Sequence, residues 1–363
     1  MKIIQMGEPQ IIMQNPDSHH NYFGWPTVAR LQNGKIAVTA SGYRLRHVCP
    51  FGKMVIAYSE DEGKTYTRPA PVIDTVLDDR DGGVVPFGEN GVIVTSFNNL
   101  TDFQRQYAES AYDRGYLDSV TKEEESKDLG VTFRISQDCG VTFGPIYKSP
   151  VTSPHGPVVL QDGSLLWVGR VFSPADAQQK GVDCIQAHRI HLDGTTEYVG
   201  QIENIDIDGR EPLSCEPHAI VLEDGRILVH IRVQMLDFIT QPDGIFTVYQ
   251  AESTDNGRTW SKPIPILPPK GGSPAHLFRH SSGMLISTYG YRLAPYGVKA
   301  MFSRDGGETW DTGYDIYVNH VGPDLGYPST VELSDGSLLT VFYAHPEEDG
   351  PAVILQQRWR FEE

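Results

Sequence analysis

Six short stretches of this chain hold more ionisable side chains than a packed core needs. They are Arg44-Leu45-Arg46-His47, Asp78-Asp79-Arg80-Asp81, Ser153-Pro154-His155, Cys215-Glu216-Pro217-His218, Pro274-Ala275-His276 and Asp324-Leu325-Gly326-Tyr327. Arg232 and Arg292 follow the fourth and fifth of them. Arginine forks at several sites suit a planar anion such as a carboxylate, which the guanidinium binds through two parallel hydrogen bonds. Carboxyl, imidazole and phenol groups beside them suit proton transfer. Metal chemistry is not expected: apart from His218 and His230, separated by a hairpin, no two histidines have ligand spacing within one stretch. No cofactor is expected either.

These stretches recur because the elements that carry them recur. An apolar run, a two-residue Asn/Asp/Ser-Gly turn and a second apolar run appear at Asn33-Gly34, Asn90-Gly91, Asp162-Gly163, Asp224-Gly225, Ser282-Gly283 and Asp335-Gly336. Such dipeptides between apolar runs are strong hairpin signals. A longer phrase, Ser-x-Asp-x-Gly-x-Thr-aromatic, occurs four times, at Ser59–Tyr66, Ser136–Phe143, Ser253–Trp260 and Ser303–Trp310. Its Asp can accept backbone N–H groups while its Gly takes a positive φ, so it reads as a stapled turn between two antiparallel strands. A worn copy, His191-Leu192-Asp193-Gly194-Thr195, falls in the third unit.

Six hairpins, four of them followed by the phrase, predict an all-β fold: a six-bladed propeller of four-stranded antiparallel blades in one domain spanning 1–363. A ring must close. The N-terminal Ile3-Ile4 and Ile11-Ile12-Met13 are expected to complete the sixth blade beside the C-terminal run Ala352–Phe361. The stretch 102–127 is an insertion in blade 2 and is expected to be partly helical. In this frame, the six polar stretches gather at one mouth of the ring.

Composition narrows the partners. The formal net charge of −17 over 363 residues disfavours binding to nucleic acid or an anionic membrane. No apolar run approaches the ~18 residues needed to span a bilayer. The first residues lack the apolar core of a signal peptide, so a cytoplasmic protein is expected. Cys49, Cys139, Cys184 and Cys215 are scattered and form no disulfide framework. Sequence alone gives no oligomeric state.

The four phrases resemble the Asp-box, or BNR, repeats of sialidases and their relatives, and the resemblance runs over nearly the whole chain. Gly326-Tyr327-Pro328-Ser329-Thr330 is similar to the sialidase segment that bears a nucleophilic tyrosine. Glu216 falls where that family keeps the glutamate that activates it. Arg232 and Arg292 fall near arginines that bind the substrate carboxylate, and Arg44 matches an arginine after the first hairpin. The resemblance implies an exo-acting glycoside hydrolase on a terminal, acidic sugar. A tyrosine nucleophile fits such a substrate, because a carboxylate on the anomeric carbon repels an anionic nucleophile. Ionising a free phenol at pH 7 costs roughly 4 kcal/mol, which a neighbouring base can offset by taking the proton during attack.

Two departures stand out. Tyr22-Phe23-Gly24-Trp25-Pro26 has no arginine where the family has its first one, and the loop after the first hairpin has no aspartate to serve as acid/base. Asp79, Asp81 and His47 are the candidate proton donors. Arg46, Arg80, Asp81, His155, His218 and His276, with Arg44, are further candidates for substrate contacts. The arginines and aspartates equally suit inter-blade ion pairs, and the histidines equally suit bonds to backbone carbonyls. Two other readings stay open: a non-catalytic carbohydrate-binding propeller, and a uronate lyase using His and Tyr as base and acid.

Overall fold

The computed structural model describes residues 1–173 and 185–362. Cys184 therefore lies outside the described residues; Cys49 and Cys139 are free thiols. Six antiparallel sheets form in chain order. Blade 1 comprises Tyr22–Arg30, Ile36–Arg44, Lys53–Ser59 and Ala70–Ile73. Blade 2 comprises Val84–Phe87, Gly91–Phe97, Val131–Ser136 and Tyr147–Ser149. In blade 3 the innermost strand is in two pieces, Val151–Thr152 and Val158–Val159, both paired with Leu165–Val171. Ile185–Ile190 and Thr196–Gln201 complete it. Blade 4 comprises Leu213–Val221, Ile227–Met235, Ile245–Ser253 and Ile264–Pro265; blade 5 comprises Ala275–Arg279, Leu285–Tyr291, Tyr296–Ser303 and Asp311–Asn319.

Blade 6 closes the ring. To Gly326–Glu332, Leu338–Ala344 and Val353–Glu362 it adds Lys2–Gln5 and Gln10–Met13, both paired antiparallel with the last strand. The N-terminal strands are thus hydrogen-bonded to the last strand of the chain in one sheet, which closes the ring. The core is a set of apolar clusters between blades. One joins blades 6 and 1 through Val331, Leu339 and Val341 against Val28, Val38 and Val55. Another joins blades 3 and 4 through Leu166 and Val168 against Ile227 and Val229.

The Asp phrases sit between the third and fourth strands, and a strand precedes all four. In the first, Ser59 Oγ donates to Asp61 Oδ1 (2.8 Å) and accepts Gly63 N–H (2.9 Å). Asp61 also accepts Thr65 N–H (2.9 Å) and Thr65 Oγ1–H (2.6 Å). Gly63, Gly140, Gly257 and Gly307 lie at φ 79–92°. A Cβ on each would press on the preceding blade: Leu339, Tyr58, Leu166 and Leu228 respectively. Three of these glycine carbonyls accept a bond from that blade, from Gln356, Tyr58 and Gln250. The phrase thus makes the turn and also pins one blade to the next.

The blade 2 insertion forms three short helices, α1 (Thr101–Arg105), α2 (Ala111–Ser119) and α3 (Lys122–Asp128). Capping boxes start the second and third, Ser110 with Asp113 and Thr121 with Glu124. Among the described residues no helix is long and apolar enough to cross a membrane.

Candidate active site

The mouth of the ring is built by one backbone device used four times. Trp25, Asp81, Glu216 and Tyr327 all lie at φ 49–54°, a region that non-glycine residues rarely adopt. Trp25, Glu216 and Tyr327 lie in the first half of the inner strand of their blades and Asp81 just before its own, and each sits in a one-residue bulge. Gly24 pairs with Ser41 and Thr27 with Thr39, so three steps on the inner strand span two on its neighbour. The same count holds from Cys215↔Arg232 to His218↔His230 and from Gly326↔Tyr343 to Ser329↔Val341. It holds again from the Arg80↔Phe97 bridge to the Gly83–Thr95 hydrogen bond. A bulge re-aims the residue it carries. A side chain that would alternate between sheet faces is turned toward the channel instead.

Tyr327 Oη donates to Glu216 Oε1 at 2.6 Å. Arg232 Nη1 bridges the pair, at 2.7 Å from Glu216 Oε2 and 3.2 Å from Tyr327 Oη, and Arg232 Nη2 donates to Gln234 at 2.6 Å. Burial pushes the Tyr327 phenol above its ordinary pKa; Glu216 and Asp81 add to the rise, while Arg232 and Arg292 oppose it. The phenol is therefore neutral at neutral pH and its proton points at a carboxylate. Arg292 is held by the Leu325 carbonyl (3.1 Å), and its guanidinium stands 5.8 Å from the centre of the Tyr327 ring.

Arg80 stands over Trp25, with Cζ 4.3 Å from the ring centre. Its nearest carboxylates, Asp78 and Asp81, are 3.7 and 3.9 Å away, and its Nε has no hydrogen-bond partner. Asp81 is buried with Oδ1 unpartnered; burial raises its pKa to about 7, with Arg80 opposing and Glu216 adding to the rise. His47 Nδ1 is held by Asp324 Oδ1 (2.9 Å) and contacts Tyr22 Oη (3.1 Å). Burial lowers the His47 pKa against the pull of Asp324, and Arg80 and Arg292 lower it further. Asp324 also accepts from Tyr22 (2.9 Å), Tyr343 (2.9 Å) and His345 (3.0 Å). Although buried, its carboxyl is held well below the ordinary range by bonds from His345 and His47.

These groups line one cleft of about 290 Å³. His47, Arg80, Asp81, Glu216, Arg232, Arg292 and Tyr327 form its polar wall, and Phe97, Phe103, Val171 and Phe172 form an apolar one. Phe103 comes from α1, so the insertion contributes to the rim.

A BNR repeat-like domain matches residues 104–340. The chain belongs to the BNR repeat-like family. No curated protein matches it in sequence. Among solved structures it resembles a Dyadobacter fermentans protein of unknown function, with a TM-score of 0.75 at 18% identity over 99% of both chains. It also resembles the NanB sialidase of Streptococcus pneumoniae (0.68, 14%, covering 98% of this chain and 71% of that one). A third is the α-L-arabinanase of Penicillium chrysogenum (0.61, 14%, 98% of both). At these identities the likeness is one of fold: a sialidase-like propeller that sialidases share with an arabinanase.

Within this BNR propeller, several residues expected at the mouth lie elsewhere. Arg44 is fully buried and its guanidinium pairs with the buried Asp78, donating Nη2 to Asp78 Oδ2 at 2.9 Å; it joins blade 1 to the entry of blade 2. Arg46 reaches outward to Asp113 (2.5 Å) and the Tyr107 carbonyl (2.7 Å), tethering the helical insertion. Asp79 is wholly buried away from the cleft, accepting from Thr75 N–H (2.6 Å), Thr75 Oγ1 (3.0 Å) and Asn98 (3.3 Å). Burial raises its carboxyl to about 7, but it faces no open space. His155, His218 and His276 pack against one another between blades 3, 4 and 5, with ring centroids 4.3–5.1 Å apart, beneath the cleft and not on it. Burial lowers the pKa of all three, so they are neutral packing groups. Among the described residues no cluster is arranged to hold a metal ion.

Two other residues of the site were given no role from the sequence. Trp25 stands where the resemblance leads one to expect an arginine, and it is the surface on which Arg80 rests. Asp324 lies three residues before Tyr327, and only the fold reveals that it anchors His47, 277 residues away.

Proposed function

We propose that this BNR propeller is a retaining exo-glycoside hydrolase acting on a terminal acidic sugar. The observation that carries the reading is the 2.6 Å hydrogen bond from Tyr327 to Glu216, bridged by Arg232. Tyr327 Oη attacks the anomeric carbon while Glu216 takes its proton. The pairing matters because burial keeps the phenol from ionising on its own. Arg80 and Arg292 supply the positive face that a sugar carboxylate needs. Arg232, committed to Glu216, keeps that carboxylate in place. The apolar wall of Phe97, Phe103 and Phe172 offers a surface for the ring or the leaving group.

A panel of aryl glycosides and uronate oligosaccharides tests this, following both released aglycone and absorbance from a new C=C bond. Aglycone release without an alkene signal is the expected result. An alkene signal would replace hydrolysis with β-elimination. Sugar binding without turnover would make the protein a lectin.

A further inference from the structure

The blade 2 bulge carries a carboxyl for which the Tyr327–Glu216 pair has no use. Asp81 occupies the same left-handed station as Glu216 and Tyr327 and lines the same cleft. The three side chains enter from blades 2, 4 and 6, alternate blades of the ring. Asp81 therefore stands at the third of three evenly spaced stations around the mouth, close enough for its charge to act on both Glu216 and Tyr327. Its direction is fixed by its neighbour: a Cβ on Gly82 would lie 2.6 Å from the Thr95 carbonyl, so the chain can pass there only without a side chain. Oδ1 is buried without a hydrogen bond. An unsatisfied buried oxygen and a strained φ each cost stability. Two such costs at one residue on a cleft wall mark a group kept for a ligand.

We propose that Asp81 is the acid/base residue of the hydrolysis, a role that rests on the reading of Tyr327 and Glu216 above. In the first step the protonated Asp81 carboxyl gives its proton to the glycosidic oxygen as the C–O bond to the leaving group breaks. Tyr327 Oη bonds to the anomeric carbon as its own proton passes to Glu216. In the second step the Asp81 carboxylate takes a proton from water, and the water oxygen displaces Tyr327. The phenolate recovers its proton from Glu216, and both carboxyls return to their starting states. Charged or titratable groups facing Asp81 are Arg80 on its own segment, Arg44 in blade 1, Glu216 and Arg232 in blade 4, and Tyr327 and Tyr343 in blade 6. Burial outweighs the arginines and leaves this carboxyl protonated in good part near neutral pH. His47 also reaches the cleft, but partial burial, with Arg80 and Arg292, lowers its pKa, and its Nδ1 is already engaged by Asp324 and Tyr22.

The test compares Asp81→Asn, Asp81→Gly, Asp79→Asn and His47→Gln on two probes of one sugar: the 4-methylumbelliferyl glycoside that the wild type cleaves, and its methyl glycoside. A general acid contributes about 10²–10⁴-fold, most of it for a poor leaving group. Asp81→Asn is expected to lose about 10³-fold on the methyl glycoside and far less on the aryl one. The alkaline limb of the wild-type profile should vanish in that variant. Azide should restore aryl turnover in Asp81→Gly and give a glycosyl azide. Asp79→Asn, two residues away, should show none of this. Equal losses on both probes with no azide rescue would overturn the assignment, and leaving-group dependence in His47→Gln alone would transfer the role to His47. If the wild type cleaves no glycoside of the panel, the hydrolase reading falls and this role with it; turnover indifferent to Asp81→Asn defeats this role alone.

Discussion

The rim and the mouth of this propeller are both repetitive, in opposite senses. At the rim the same amino acids recur four times and do the same work. Each Asp of the phrase is an exposed carboxylate satisfied within its own turn, and each Gly abuts the blade before it. At the mouth the backbone recurs four times, but the side chains are Trp25, Asp81, Glu216 and Tyr327. At the rim the side chains make the turn. At the mouth the bulge is made by the pairing register, and the side chain it carries is free to differ from blade to blade. A repeat fixed in sequence is thus architecture, whereas a repeat fixed only in backbone is where one scaffold acquires its chemistry.

The largest effect expected from this contrast is at Tyr327. Tyr327→Phe removes one oxygen from the Glu216 pair and should lower turnover of the aryl glycoside by at least about 10³-fold, since the nucleophile is lost. Sugar binding should stay within a few-fold and the melting temperature should barely move. Substantial residual turnover would break the comparison, because a mouth residue would then be as dispensable to chemistry as a rim residue.

Two arginines that the sequence cannot tell apart sharpen it next. Arg44→Met should cost about 3–5 kcal/mol, because Asp78 is left buried and charged without its partner. Arg80→Met should cost little stability, since its carboxylate contacts are 3.7 Å or longer, yet it should raise KM about tenfold or more. Denaturant melts with steady-state kinetics on both variants check this; reversed outcomes would exchange the two roles.

That pair also marks how far the sequence could be read. The six hairpins, the stapled turns, closure by the N-terminal strands and the helical insertion were all legible, because turn chemistry and hydrophobic alternation are local. So was the convergence of Glu216, Arg232, Arg292 and Tyr327. The bulges were not, because they exist only in the pairing of one strand with its neighbour. Asp79 and Asp81 look equivalent in the stretch Asp78-Asp79-Arg80-Asp81, yet one is clasped by Thr75 and Asn98 and the other stands open at the cleft. The three histidines showed a polar pattern at the right positions, but in the fold they pack against one another and do not line the cleft.

Burial raises both aspartates to about 7, so hydrogen bonding, and not titration, separates them. For Asp81 the folded pKa of about 7 exceeds the unfolded value near 3.9, so the native state holds the proton more tightly. Its contribution is favourable at low pH and is lost as pH rises from about 4 to about 7. Asp81→Asn, which keeps a residue type tolerant of positive φ, should therefore gain stability relative to the wild type across that window, by a few degrees in Tm, and level off above it. Asp79→Asn removes an equally raised carboxyl and should follow the same pH trend, but displaced to lower stability at every pH, since its new N–H₂ would face donors from Thr75 and Asn98. Parallel curves with Asp79→Asn displaced downward are expected; superimposed pH–Tm curves for the two variants would erase the distinction between them.

The smallest effect belongs to the rim. Ser253 Oγ is buried, donates to Asp255 Oδ1 (2.9 Å) and accepts Gly257 N–H (2.9 Å), and that glycine presses on Leu166 of blade 3. Ser253→Ala deletes both bonds and leaves a buried N–H unsatisfied, a loss of about 1–2 kcal/mol. The strained residues of the mouth are untouched, so kcat and KM on the aryl glycoside should match the wild type while the denaturation midpoint falls. A change in kcat/KM beyond about twofold would mean that the rim turns and the mouth bulges are mechanically coupled through the blade, and the division of labour between the two repeats would have to be abandoned.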